Sequence, residues 1–167
     1  MKFRSLARMS AAILTLAGAL LANAGPAAAQ PTKTDTAAQT TATTVPIDVQ
    51  LFGLRPGTAC TTGWVFGDNW NHTGTFKCGT KVMQVDWTGT GGYEYFGIAP
   101  DRTIWHSWAS SRGYVVMPNN GRADAMNWAW KYSDGTRRVS VYVSGSGYWC
   151  STDYAGDGYS WKSWVRC

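Results

Sequence analysis

The sequence contains little of what most enzymes use for catalysis. Its 167 residues include two histidines, and Glu94 is the single glutamate. Leucine and other strong helix formers are scarce in the second half, which excludes a helical bundle. No dense basic run occurs, and Arg137-Arg138 is the one pair of adjacent cations. The chain therefore has no cluster of cations that could neutralise nucleic-acid phosphates, and nucleic-acid binding is not expected.

The N-terminus has the pattern of a secretory signal peptide. Three cations precede residue 9, a small apolar run extends from Ala11 to Leu21, and Ala27-Ala28-Ala29 fits the small-residue cleavage rule. We therefore expect a signal peptide at 1–29, cleavage near Ala29, and a secreted protein. The run is too short to span a bilayer, so membrane insertion is not expected. Cleavage removes three of 15 basic residues against 10 acidic ones, which leaves +2 of the formal +5.

Composition divides the remaining chain into a linker and one domain. Residues 30–46 contain seven Thr and no aromatic residue, so they cannot bury enough apolar surface to offset their ordering entropy. We expect a flexible Thr/Ala-rich linker there. All 10 Trp and all 8 Tyr lie beyond residue 46, together with abundant Gly, Thr and Val. This composition predicts a single turn-rich, all-β domain at 47–167.

The four cysteines predict two local disulfides. Cys60 and Cys78 are 18 positions apart, and Cys150 and Cys167 are 17 apart. An even number of cysteines in an exported protein indicates disulfides, and the matched spans favour pairing within each couple. A zinc site is the alternative, but no CxxC or CxxH spacing occurs. We expect no metal and no cofactor.

Three segments of the domain repeat at steps of 44 and 45 residues. They are LFGLRPGTACT, YFGIAPDRTIWHS and SVYVSGSGYWCS, aligned on Leu54, Ile98 and Val143. Each repeat predicts about four short antiparallel strands, with hairpins at 82–99 and 124–144. Three related units of roughly 44 residues fit a β-trefoil-like or a partial propeller-like domain, and the pattern does not choose between them.

One predicted strand carries a strict alternation of aromatic and small or polar residues. Met126, Trp128, Trp130 and Tyr132 alternate with Ala125, Asn127, Ala129 and Lys131. A period of two predicts that the aromatic face is buried. Trp161 and Trp164, on a later aromatic run, are likewise expected in the core.

Two stretches resemble lectin repeats of the tectonin or tachylectin type: GIAPDRTIWHSW at 97–108 and GYWCSTDYAGDGYSWKSW at 147–164. The resemblance covers Val82 to Cys167 best. The local disulfides are also similar to those of ricin-type trefoil lectins, although the QxW triplet of that family is absent. Both resemblances imply a polysaccharide or cell-surface glycan as the partner. They imply nothing about the oligomeric state.

Three loops combine aromatic and polar residues in the way that sugar sites do. A Trp or Tyr ring stacks on the C–H face of a sugar, while Asp, Asn or His reaches its hydroxyls. We expect up to three related sites with avidity for a polymeric glycan. Their predicted residues are Trp70, Asn71 and His72, then His106 and Trp108, then Asp153, Tyr154 and Asp157. The alternatives are core packing for each Trp, a structural role for His106, and turn formation or calcium binding for Asp153 and Asp157.

Two other functions remain alternatives to a lectin. A glycosidase needs two facing carboxylates, and Asp86 and Glu94 lie in the two arms of one predicted hairpin. No nucleophile-elbow motif occurs, and we predict no catalytic residue. The stronger alternative is a protein-binding domain, such as a protease inhibitor or a toxin. Its binding loop would be Arg55–Cys60, stiffened by the neighbouring disulfide.

Overall fold

A computed structural model describes residues 41–155 and 160–167, and this part of the chain is built from antiparallel strands. The predicted signal peptide and linker residues 30–40 lie outside it. No helix long and apolar enough to cross a membrane occurs in the described part. A short 3-10 helix occupies Pro118–Asn120. The strands are β1 (Thr44–Val45), β2 (Asp48–Phe52), β3 (Trp64–Gly67), β4 (Thr73–Phe76), β5 (Val82–Asp86), β6 (Tyr93–Ile98), β7 (Ile104–Trp108), β8 (Val115–Val116), β9 (Ala125–Tyr132), β10 (Arg137–Val143), β11 (Gly147–Asp153) and β12 (Val165–Arg166).

The strands form two five-stranded sheets and one hairpin. The central sheet has the order β2-β5-β6-β7-β8, and the second sheet has the order β1-β9-β10-β11-β12. Strands β3 and β4 form a separate hairpin. Each sheet therefore consists of four consecutive strands with one earlier strand added at its edge. The all-β prediction and the two predicted hairpins are confirmed.

The main core lies between the two sheets. Because side chains alternate along a strand, Met83 and Val85 face the second sheet together with Phe96 and Ile98 of the neighbouring strand. Val139 and Val141 of β10 meet them from the other side. These fully buried side chains hold the sheets face to face, which is the main hydrophobic contribution to stability.

A second core fills the space between the central sheet and the hairpin. Phe76 of β4 is fully buried and lies against Gly97 of β6, where a side chain would collide with its ring. Tyr114 packs edge-on against Phe76 with ring centroids 5.0 Å apart, and Trp64 lies 6.1 Å away. The central sheet is thus covered on both faces. This explains why every residue of β5 is buried.

Both predicted disulfides are present. Cys60 pairs with Cys78 at a Cα–Cα distance of 5.7 Å, and Cys150 pairs with Cys167 at 5.2 Å. The second bridge fastens the C-terminus to β11, whose neighbour β12 adds only two paired residues to the sheet.

The repeat prediction is not confirmed as three equivalent units. The segment before β5 contributes β2 to the central sheet and the separate hairpin instead of a four-stranded unit of its own. A short strand, β1, lies ahead of Ile47 in the described part of the chain. Thr44 and Val45 pair with Tyr132 and Lys131, because the edge of β9 otherwise leaves backbone groups without a partner.

The predicted buried aromatic face of β9 is wrong beyond Met126. The register between β9 and β10 shifts at Ser140/Val141, so Met126 pairs with Val141 and Trp128 pairs with Ser140. This β-bulge leaves Asn127 unpaired and reverses the alternation. Met126 and Ala129 then face the core, while Trp128 is 45% exposed on the opposite face.

Candidate functional site: an aromatic pocket

A cavity of about 540 Å³ opens at the end of the central sheet. It lies where the connections after β5 and β7 approach the start of β10 and the turn after β3. We call it the aromatic pocket. Its walls are Trp70, Trp87, Tyr93, Trp108 and Trp161, its polar residues are Glu94, His106 and Arg137, and its small rim residues are Gly91, Gly92 and Ala109.

Strand register brings the polar residues of the central sheet together. Glu94 of β6 is paired with Trp108 of β7, and Phe96 is paired with His106. All four side chains therefore lie on the face of the central sheet that is turned towards the second sheet. The inter-sheet core ends at Phe96, and the aromatic pocket begins beyond it.

The buried carboxylate of Glu94 is the centre of the polar network. One oxygen, Oε1, accepts from His106 Nδ1 at 2.7 Å and from the indole N–H of Trp161 at 3.1 Å. The other, Oε2, accepts from the indole N–H of Trp87 at 2.9 Å and from Arg137 Nη1 at 3.3 Å. Four donors fill the usual capacity of a carboxylate. Glu94 therefore fixes the orientation of two pocket walls.

Arg137 is held between two carboxylates and two indole rings. Its Nε and Nη2 donate to Asp153 Oδ2, with the Nε contact at 2.8 Å. The guanidinium carbon lies 5.3 Å from the ring centre of Trp87 and 5.5 Å from that of Trp161. Asp153 is fully buried. It lies behind Arg137 and acts on the pocket by positioning this side chain.

His106 presents a nitrogen atom at the pocket wall. Since a carboxylate only accepts hydrogen bonds, the Nδ1 atom bonded to Glu94 carries the proton. In the neutral ring this leaves Nε2 as an acceptor. The imidazole stacks on Phe96 at 6.0 Å and lies 4.9 Å from the ring of Trp108.

Asp68 positions the turn that carries Trp70. Its Oδ1 accepts from the backbone N–H groups of Trp70 and His72, each at 2.9 Å. Its Oδ2 accepts from Ser107 Oγ at 2.6 Å, which ties the turn to the buried side of β7. His72 Nδ1 is 2.8 Å from the same hydroxyl. The His72 ring thus belongs to this tether and does not line the pocket.

Asp86 organises the rim between β5 and β6. Its carboxylate accepts from the backbone N–H groups of Thr88, Gly89 and Gly91 at 2.8–3.0 Å. Burial alone would raise the pKa of Asp86, but these backbone hydrogen bonds and that of the Thr88 hydroxyl outweigh it and lower the pKa. The ionised carboxylate therefore stabilises the rim.

The predicted site residues fall into three groups. Trp70, His106 and Trp108 line the aromatic pocket, so two of the three predicted loops converge on one cavity. His72 and Asp153 lie behind its walls. Asn71 is exposed at a positive φ of 64°, and Tyr154 is exposed in a separate groove beside Lys162. Asp157 lies outside the described residues.

Sequence reasoning missed Trp87, Tyr93 and Arg137 as pocket residues and assigned Trp161 to the core. Trp161 is buried and also lines the pocket. The available signal was Glu94, because a single glutamate among aromatic residues in a strand needs several donors if it is buried. The identity of those donors depends on strand pairing across the two sheets.

The carboxylate pair proposed for glycosidase chemistry does not face one site. Val85 pairs with Glu94 and Asp86 pairs with Tyr93, so Asp86 and Glu94 point to opposite faces of the sheet. The Asp68, His72 and Ser107 cluster is not a nucleophilic triad either. Asp68 and Ser107 both contact Nδ1 of His72, and Ser107 is fully buried.

Within the described residues, no group of three or more His, Cys, Asp and Glu side chains is placed to hold a metal ion. Comparisons of the chain with protein-family models, with curated proteins and with solved structures find no match.

Proposed function

We propose that the protein is a lectin-like domain that binds carbohydrate in the aromatic pocket without turnover. The observation that carries this proposal is the lining itself: among the described residues, five aromatic side chains surround three polar ones in a cavity of about 540 Å³. This volume is in the range of about 300–1,000 Å³ typical of small-molecule sites. The walls suit apolar C–H faces, and the polar residues suit hydroxyls.

The lining is also rigid, which favours binding. Trp87 and Trp161 are fixed by Glu94, and Trp70 is fixed through its backbone by Asp68. Trp108 donates its indole N–H to Ser110 Oγ at 2.9 Å. Because hydrogen bonds hold the side chains of Trp87, Trp108 and Trp161 before a ligand arrives, binding costs less conformational entropy.

We further propose that the protein acts outside the cell, where the two disulfides persist. The predicted signal peptide supports this location. The lectin-repeat relation also remains a proposal. Ile98 and Val143, which the repeat alignment equates, are the last residues of β6 and β10 in the two sheets.

The proposed carbohydrate site is tested by comparing two exposed tryptophans, each of which lies in a strand. Trp108 is 37% exposed and lines the aromatic pocket, whereas Trp128 is 45% exposed on the outer face of the second sheet. Trp108→Ala should weaken glycan binding several-fold, since a stacked ring contributes about 1 kcal/mol. Trp128→Ala should leave binding unchanged. A glycan array identifies ligands, and titration calorimetry on both variants measures the change.

The two variants also provide the refutation. Equal losses, or a loss only in Trp128→Ala, would assign sugar binding to another surface. If the wild-type protein binds no glycan on the array, the proposed carbohydrate-binding function is wrong.

One exposed loop supports a protein-binding function as the second candidate. Arg55–Cys60 is mostly exposed and contains a tight turn, closed by a hydrogen bond from Thr58 N to Arg55 O at 3.1 Å. The Cys60–Cys78 disulfide fastens its end. Stoichiometric inhibition of a protease, lost in Arg55→Ala and retained in Trp108→Ala, would establish this function instead.

A further inference from the structure

The aromatic pocket combines cation-binding walls with an excess of negative charge. Glu94 and Asp153 flank the single cation Arg137 in its network. Two more carboxylates lie beneath the lining, Asp86 under the rim and Asp68 under Trp70. With neutral histidines, the four carboxylates exceed the described cations nearby. Those cations are Arg137, Lys131, whose Nζ donates to the Trp87 carbonyl at 2.6 Å, and Arg112 on the connection that carries Ala109.

The indole rings of the pocket already bind a cation within the protein. The Arg137 guanidinium lies over both Trp87 and Trp161, at the distances of a cation–π contact. Trp70, Tyr93 and Trp108 present further aromatic walls to the same cavity. A second cation entering from solvent would therefore meet aromatic walls, and the charged residues around it would carry a net negative charge.

His106 adds a hydrogen-bond acceptor to this environment. Its Nδ1–H donates to Glu94, so in the neutral ring Nε2 is the nitrogen left to accept a hydrogen bond. The oxygens of Glu94 already accept from four protein donors, so Nε2 is a stronger candidate than Glu94 to accept from a ligand. An ammonium group has both a positive charge, which suits the negative surroundings, and N–H donors, which suit Nε2 of His106.

We infer that the aromatic pocket selects a sugar that carries a protonated amine over its neutral or acidic counterparts. This inference rests on the proposed carbohydrate-binding function. The ligand class is a 2-amino-2-deoxy sugar, free or in a polymer, whose ring stacks on the walls and whose ammonium group faces Nε2 of His106. N-acetylation would remove the charge, and a uronic acid would be repelled.

The experiment measures affinity by titration calorimetry for three oligosaccharides of equal length. They are oligomers of glucosamine, of N-acetylglucosamine and of galacturonic acid, at a pH that keeps the amine protonated and the imidazole of His106 neutral. We expect the glucosamine oligomer to bind several-fold more tightly than the N-acetylated one, and the acidic oligomer to bind most weakly. The preference should shrink as salt is added, because exposed charges are screened.

Ala109 offers a matched pair of variants at the mouth of the pocket. It is exposed and lines the rim, so a long side chain there should not disturb the fold. Ala109→Lys should weaken binding of the glucosamine oligomer about threefold and Ala109→Glu should strengthen it by a similar factor, as expected for charges about 7 Å apart in water. Binding of the N-acetylated oligomer should change by the same factor in both variants, because a neutral ligand meets similar added bulk and no difference in charge.

The outcomes separate this inference from the proposed function. If the N-acetylated oligomer binds as tightly as the amine and both Ala109 variants behave alike, the amine preference is wrong while carbohydrate binding stands. If spermine competes as effectively as the amino sugar, the pocket is a general cation site and the inference fails. If no oligosaccharide binds, the proposed function fails as well.

Discussion

Gly97→Ala is the substitution with the clearest expected effect on stability. Gly97 is the next-to-last residue of β6, and a Cβ atom there would lie closer than 3.0 Å to two atoms of the Phe76 ring. The ring has little room to move. Tyr114 packs edge-on against the Phe76 ring, and on another side the Cζ and Cε2 atoms of Phe76 occupy the space that a Cβ atom at Gly74 would need. Relief of the collision therefore requires a shift of the hairpin away from the central sheet.

The expected cost follows from two opposing effects. Overpacking of a filled core costs about 1–3 kcal/mol. Replacement of glycine by alanine recovers about 0.4–1 kcal/mol, because the unfolded chain loses conformational freedom. Since the ring is held on several sides, we expect a net loss of about 2 kcal/mol. For a domain of this size that loss lowers the thermal midpoint by about 6–12 °C.

Gly67→Ala is the matched control. Gly67 also lies in a strand, but the nearest atoms to a Cβ there are 3.9 Å away. We expect its thermal midpoint to stay within about 2 °C of the wild type, since surface changes of this kind are usually small. A Gly97→Ala variant as stable as Gly67→Ala would refute the packing described for Phe76. Phe76→Leu should make Gly97→Ala less costly, and a double-mutant cycle measures this coupling.

Two further predictions concern acid sensitivity and the disulfides. The lowered pKa of Asp86 means that its contribution to stability is complete above about pH 4, the usual aspartate pKa, and is lost as the pH falls through the lowered value. Asp86→Asn should therefore destabilise the protein at pH 7 and much less near pH 2; thermal melts at both pH values test this, and equal destabilisation at both would contradict it. Replacement of either disulfide by two serines should cost about 3 kcal/mol on the loop-entropy estimate, because the two loops are almost equal in length. Urea unfolding of the two double variants measures these losses, and a difference of more than about 2 kcal/mol would show that loop closure is not the dominant effect.

The parts of the fold that depend on local patterns were predictable from the sequence. The hairpin of β5 and β6 follows from two β-rich runs joined by a glycine-rich turn, and that of β9 and β10 follows from Asp134-Gly135. The disulfides follow from matched spacing. Each of these inferences needs only residues that are close in the sequence or alike in type.

The predictions from the sequence were wrong where a contact between residues far apart in the chain determines the local structure. The bulge opposite Ser140 reverses the exposed face of β9. The sequence around Trp128 carries no signal of this bulge. In the structure, Ser140 Oγ accepts hydrogen bonds from Asn127 Nδ2 and Trp128 N at this point. The placement of two predicted loops beside one cavity also depends on a distant contact. Trp70 and Trp108 line the same pocket, and Asp68 joins the turn after β3 to Ser107 of β7.

The polar network itself favours a function for the aromatic pocket over a purely structural role. Burial of Glu94 and Asp153, and partial burial of Arg137, require desolvation of these charged groups, and apolar residues of similar volume are often equally stabilising or more so. A domain that needed only a core at this end of the sheets would gain little from such a network. The network does, however, fix Trp87 and Trp161 at the edge of an open cavity and sets the proton position on His106. Orientation of aromatic walls and of one acceptor is what a selective sugar site requires, and stability alone does not explain it.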